Sequence, residues 1–149
     1  MALPIVVPDA SVILKWVLPS ADEPDADQAL LLRTSVVEER VRALVPSLWI
    51  YEVGNTISRR FPTQAANWLA ALAKFGLQDA PRSDKWLTTT LGLVSHFGCT
   101  FYDAAYHAVA LNNKGEFVTA DHRYVNLAGD AGGVTLLGNW RAPTNRRQR

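Results

Sequence analysis

Two hydrophobic periods alternate along this 149-residue chain. Short apolar runs, ended by proline or an acid, are separated by longer stretches in which apolar positions recur every three or four residues. Ile5-Val-Val7 is the first run and predicts a strand. A helix follows from about Ala10 to Val17, and Pro19 stops it. Ser20-Ala-Asp-Glu-Pro-Asp25 reads as an acidic turn whose carboxylates suit the start of a helix running to about Arg40. Ala43-Leu-Val45 predicts a second strand, ended by Pro46. Ser47 is placed to cap a helix to about Arg60. Phe61-Pro62 breaks the chain, and Thr63 caps a helix from Ala65 to Lys74 that Gly76 closes. Leu77-Gln-Asp79 predicts a short strand. Ser83 opens a helix to about Phe97, closed by Gly98, and Thr100 or Phe101 starts another that Lys114-Gly115 closes. Glu116 to Ala120 predicts a strand, Asp121 to Leu127 a short helix, and Gly133 to Leu137 a final strand.

Strands alternating with helices predict an α/β fold around a parallel sheet. In such sheets ligands gather beyond the carboxyl ends of the strands. There is no internal repeat or low-complexity segment.

Composition narrows the class. Apolar residues make up 48% of the chain, enough to fill one core, and the length suits one domain. A single cysteine, Cys99, excludes a disulfide within the chain and fits a reducing cytoplasm; it reads as a small buried hydrophobe. No stretch approaches the roughly 20 apolar residues of a membrane span, and the N-terminus does not read as a signal peptide. A net charge of +1 argues against a protein that coats nucleic acid, though not against one that grips a few phosphates. The basic residues Arg141, Arg146, Arg147 and Arg149 mark 141–149 as a tail, either solvated or contacting RNA or a partner.

Four acids fall where carboxylates can share a cleft. Asp9 and Asp121 end apolar runs, while Glu52 and Asp103 lie near the starts of amphipathic helices. Oxygen ligands so placed suit Mg²⁺ or Mn²⁺. A cation so held can activate water and stabilise a phosphodiester transition state. Taken singly, Asp9, Asp103 and Asp121 are equally well explained as helix caps or first-turn acids. Glu52 is not. On a wheel of ~100° per residue, Trp49, Ile50, Val53 and Ile57 form the apolar arc of its helix, while Glu52, Asn55 and Arg59 form a separate polar arc. On the next acid's helix, Phe101, Ala104, Ala105, Ala108, Val109 and Leu111 face the core, and Asp103, His107 and Lys114 lie opposite.

Other polar residues read more plainly. Lys15 and His107 are expected at the surface, and His122-Arg123 reads as a helix-start pair with no role in the chemistry. Arg59 and Arg60 either steer RNA, pair with acids or form a solvated face. Trp16, Trp49, Trp68, Trp86 and Trp140 read as packing residues rather than base-stacking platforms. Ser11 stands where an aspartyl-nucleophile phosphatase needs a second acid, and the last run has no lysine for a receiver domain.

Four blocks in order resemble the PIN-domain nucleases, above all the VapC-type toxins: Val7-Pro-Asp-Ala-Ser-Val-Ile-Leu-Lys-Trp16, Pro46-Ser-Leu-Trp-Ile-Tyr-Glu-Val-Gly-Asn55, Phe101-Tyr-Asp-Ala-Ala-Tyr-His-Ala-Val-Ala110 and Phe117-Val-Thr-Ala-Asp-His-Arg-Tyr124. Residues 62–97 carry no motif. The resemblance implies a PIN-like three-layer α/β/α sandwich over 1–140, with a central, mainly parallel sheet of four to five strands. It implies a Mg²⁺- or Mn²⁺-dependent endoribonuclease, with Asp9 and Asp103 matching the acids that ligate metal directly and Glu52 and Asp121 matching the other two. Ser11, Asn55 and Thr119 match the polar residues that orient the carboxylates. It further implies a cytoplasmic toxin, a homodimer paired with a VapB-type antitoxin in a heterotetramer or larger assembly, and an RNA substrate. A non-catalytic PIN-like module binding RNA or protein, and a housekeeping RNase, are the alternatives.

Overall fold

Four apolar runs and the polar pair Gln78-Asp79 become five strands of one sheet. In a computed structural model describing residues 2–144, they are β1 (Ile5–Pro8), β2 (Arg42–Val45), β3 (Gln78–Asp79), β4 (Glu116–Thr119) and β5 (Val134–Leu136). All are parallel, in the order β3-β2-β1-β4-β5, with Val6 opposite Ala43, Val7 opposite Phe117 and Val118 opposite Thr135. Val6, Val7, Ala43, Leu44, Val45, Phe117 and Val118 are all buried. Covered on both faces, such strands read as continuous apolar runs rather than alternating ones. From β1 the chain winds outward through β2 to β3, then returns to β4 and β5 on the other side. The order therefore reverses between β1 and β4, where doubly wound sheets open a crevice at their carboxyl ends.

Seven helices connect the strands: α1 (Ala10–Lys15), α2 (Ala26–Val37), α3 (Leu48–Arg60), α4 (Ala65–Leu72), α5 (Asp84–Phe97), α6 (Phe101–Asn112) and α7 (His122–Ala128). Helix α6 lies across β1, β2 and β4 and packs on α5, while α1 packs on α2 and α3. Among the described residues no helix is long and apolar enough to cross a membrane. Of the basic tail, only residues 141–144 lie within the described residues; Arg146, Arg147 and Arg149 lie outside them.

Two expected helix starts are capped. Ser83 accepts from the Trp86 N–H and Thr100 from that of Asp103, each from an extended backbone. Two others are not. Ser47 has helical dihedrals (φ −57°, ψ −15°) and its side chain caps nothing, because the turn already begins with the Trp49 N–H bonded to the Pro46 carbonyl. Helix α4 starts at Ala65 after a helical Gln64, so Thr63 is not its cap. Helix α2 stops at Val37, before Arg40, where Glu39 turns left-handed (φ 55°). The tryptophans pack as expected: Trp16, Trp49 and Trp140 are buried, Trp68 and Trp86 half-buried. Ile50 and Phe101, expected on core faces, are each 38% exposed. Cys99 is buried and free.

Lys114 takes the left-handed turn that ends α6 (φ 52°), and Gly115 lets that turn approach β1. A Cβ on Gly115 would lie 2.8 Å from Ile5 Cγ2 and 2.9 Å from the Ile5 carbonyl oxygen. The carbonyl belongs to the sheet and cannot move aside alone. Gly115→Ala is expected to lose about 1–3 kcal/mol, read in urea unfolding as a lower midpoint at unchanged slope.

Candidate active site

The sheet's switch point places Asp9. Its N–H bonds to the Val118 carbonyl at 2.9 Å, carrying the β1–β4 ladder one residue further. Its own carbonyl accepts from Val12 and Ile13 and so starts α1. The side chain does not cap that helix. Its Oδ2 instead accepts from Ser11 Oγ at 2.7 Å and Thr119 Oγ1 at 2.9 Å. Each hydroxyl is itself an acceptor, Ser11 from the Ala120 N–H and Thr119 from the Asp121 N–H. The backbone donors leave both hydroxyl protons to point at Asp9. Ser11 and Thr119 thus hold the Asp9 carboxylate through Oδ2.

The other acids approach from three more segments. Glu52 is half-buried on α3, and its Oε1 accepts from Tyr106 Oη at 2.7 Å. Asp103, half-buried, sits in the first turn of α6, where Thr100 has already taken the capping role. Asp121 is exposed, and its Oδ1 accepts from the Tyr124 N–H at 3.2 Å, capping α7. Asn55 is exposed one turn beyond Glu52, and its side chain takes part in no hydrogen bond found among the described residues.

Their electrostatics are those of acids held together without a base. Burial pushes Asp9 above the usual carboxylate range, against the hydrogen bonds from Ser11 and Thr119, and the charge of Asp103 pushes it further. Burial also raises Glu52, opposed by the Tyr106 bond and reinforced by Asp9 and Asp103. Burial raises Asp103, opposed by Thr100 and reinforced by Asp121. The ion pairs found among the described residues are Lys15–Glu23 and Arg40–Glu38, which involve none of these acids. Asp9, Glu52 and Asp103 act on one another and Asp121 acts on Asp103; carboxylates so placed without a basic partner favour a cation, and their oxygen donors fit a hard divalent one. Among the described residues, however, no three His, Cys, Asp or Glu side chains are already gathered closely enough to hold a metal. Binding would have to draw them in.

Two surface expectations are corrected. Lys15 is buried, its Nζ 2.9 Å from Glu23 Oε2, because the acidic turn folds back over the end of α1. His107 is fully buried between α6 and α7: Nδ1 lies 2.6 Å from Tyr124 Oη and Nε2 2.7 Å from the Gly132 carbonyl. His122 and Arg123 open α7, the helix start expected of them, and both are exposed. Tyr106 is the residue that sequence reasoning missed. Its one signal was its place on α6, three residues after Asp103 and so on nearly the same helical face.

No protein-family model matches the chain, and no curated protein matches it. Solved structures do. A Pyrobaculum aerophilum protein, PAE2754, is 22% identical, with a TM-score of 0.65 over 92% of this chain and 91% of its own. The Rickettsia felis VapBC2 structure, bound to a promoter DNA fragment, matches at 12% identity and a TM-score of 0.67, covering 89% and 96%. Mycobacterium tuberculosis VapC20, a toxin that cleaves the sarcin-ricin loop, matches at 19% and 0.61, covering 87% and 96%. The class defined is a doubly wound parallel α/β fold with acids at its switch point. More narrowly, it is the fold of VapC-type PIN domains, as the four sequence blocks implied.

Proposed function

We propose that this chain is a metal-dependent endoribonuclease and the toxin of a VapBC-type toxin–antitoxin pair. The observation that carries the reading is the set of four acids, none with a basic partner found among the described residues, around the switch point of a VapC fold. Asp9 and Asp103 would hold Mg²⁺ or Mn²⁺ directly, with Glu52 and Asp121 completing the set. When bound, the ion lowers the pKa of water and neutralises phosphate charge. Ser11 and Thr119 fix the Asp9 carboxylate from one side. Tyr106 holds Glu52, whose raised pKa suits it to take a proton from the attacking water. Asn55, exposed one turn beyond Glu52, would help orient that carboxylate once metal is bound. The VapBC2 complex and the RNA-cleaving VapC20 support an antitoxin partner and an RNA substrate here; a cytoplasmic homodimer that the antitoxin joins completes the proposal. A binding-only module is disfavoured because all four acids are present.

The test is cleavage of a mixed cellular RNA pool by purified protein, with Mg²⁺, Mn²⁺ or EDTA, beside Asp103→Asn. Metal-dependent cuts that the variant does not make are expected. Absence of cleavage by folded, metal-replete, antitoxin-free protein would favour the binding module.

A further inference from the structure

The fourth acid is the one of the four left exposed. Asp121 lies beyond β4 and is exposed, and α7, which it caps, is only seven residues long. A helix that short holds its place only by tertiary packing. It packs on α5 and β5, and its Tyr124 side chain meets the one histidine buried in the protein interior. Gly132 offers a carbonyl, which can only accept, so His107 Nε2 carries the proton. Nδ1 is therefore the acceptor, and the Tyr124 hydroxyl is its donor at 2.6 Å. One neutral imidazole on α6 thus binds both Tyr124 within α7 and Gly132 beyond its end. The Phe117 ring of β4 stacks on His107 at 5.7 Å and meets Tyr124 edge-on at 5.5 Å, so the pair rests against the sheet. Burial pulls His107 towards its neutral form, as this arrangement requires.

His107 lies one helical turn after Asp103, and Tyr124 offers its N–H to Asp121 Oδ1. The clamp therefore links the two helices that carry the third and fourth acids. We infer that His107 and Tyr124 are positioning residues that set Asp121 relative to Asp103, so that the fourth carboxylate is held ready for the divalent cation. The inference rests on the metal-site reading above only for its last clause.

Tyr124→Phe in the full chain removes one hydroxyl and keeps the ring. In metal-free protein, amide exchange at residues 124 and 125, whose N–H groups bond to Asp121, is expected to speed up at least tenfold. Exchange at Val7 and Val118 is expected to stay within twofold. In a Mn²⁺ titration, affinity is expected to fall about tenfold. The same change made in an Asp121→Asn background is expected to cause no further fall, an interaction that a merely structural tyrosine would not show. Unchanged exchange at 124 and 125 would overturn the inference, as would an affinity loss that persists undiminished in the Asp121→Asn background. If the wild-type protein binds no Mn²⁺, the nuclease reading fails, while the exchange measurement still decides the clamp. Should Tyr124→Phe not fold, His107→Gln carries the same readouts. There, faster exchange throughout the chain, rather than a rise confined to 124 and 125, would overturn it.

Discussion

Asp9→Asn is expected to abolish RNA cleavage and, in metal-free protein near neutral pH, to raise the melting temperature. The two effects have one cause. Asp9 is 8% exposed and its charge is uncompensated: two hydroxyls point at it, but burial and the neighbouring Asp103 still push its pKa up. Asparagine keeps the shape and an oxygen for Ser11 and Thr119 while removing that charge, so the empty protein is relieved. The cost falls on function. Losing even a group behind a metal ligand costs about 10–100-fold, so losing the ligand itself should cost at least the upper end of that range. Each kcal/mol gained corresponds to about 2–4 °C for a chain of this size. An Asp9→Asn protein that cleaves RNA like the wild type, or that melts lower without metal, would remove Asp9 from the centre of the site.

Divalent metal is expected to reverse that stability order, and pH to reveal why. Asp9, Glu52 and Asp103 all have folded pKa values above their unfolded references of 3.8, 4.5 and 3.8. Below those references the carboxyls are protonated in both states and nothing is lost. As pH rises through the raised folded values, the unfolded chain ionises first and stability declines. His107 acts oppositely: its folded pKa is lowered, so its contribution is present above about 6.5 and fades as pH falls below it. The acids are isolated by difference. The advantage of Asp9→Asn over wild type in EDTA should widen as pH rises from about 4. Saturating Mn²⁺ should invert it. At 100 times the dissociation constant, binding adds about 2.7 kcal/mol, or roughly 5–10 °C. Scanning calorimetry from acid to neutral pH, with EDTA or Mn²⁺, decides it. A wild-type melting temperature indifferent to Mn²⁺ would mean that the acids do not form a metal site.

How much of this was legible in the sequence follows from how local each signal is. The central strands β1, β2 and β4 were readable because burial on both faces writes an apolar run, and the helix starts at Ser83 and Thr100 because a cap acts over three residues. Ser47 carried the same chemistry but sits in a turn already helical, which composition does not record. His107 failed for a tertiary reason. A helical wheel puts it beside Asp103 on the face away from the sheet, and nothing in the wheel reveals that α7 comes down over it. Lys15 found its partner eight residues away across a turn, and Tyr106 found Glu52 on another helix, 54 residues earlier. Asp9, Glu52, Asp103 and Asp121 could be nominated one at a time, but the absence of a neighbouring base emerges only when the fold brings them together.

The bond between Thr119 and Asp9 joins residues 110 apart, across strands that lie side by side at the centre of the sheet. During synthesis β1 therefore waits without its β4 neighbour until the chain has grown past residue 119. At ~5–20 residues per second this takes roughly 6–24 s. A nascent or truncated chain carries some of the acids but no assembled cleft. If the protein is the nuclease proposed here, translation itself imposes a delay before any molecule can harm its host, and the hazard then arrives at once rather than by degrees.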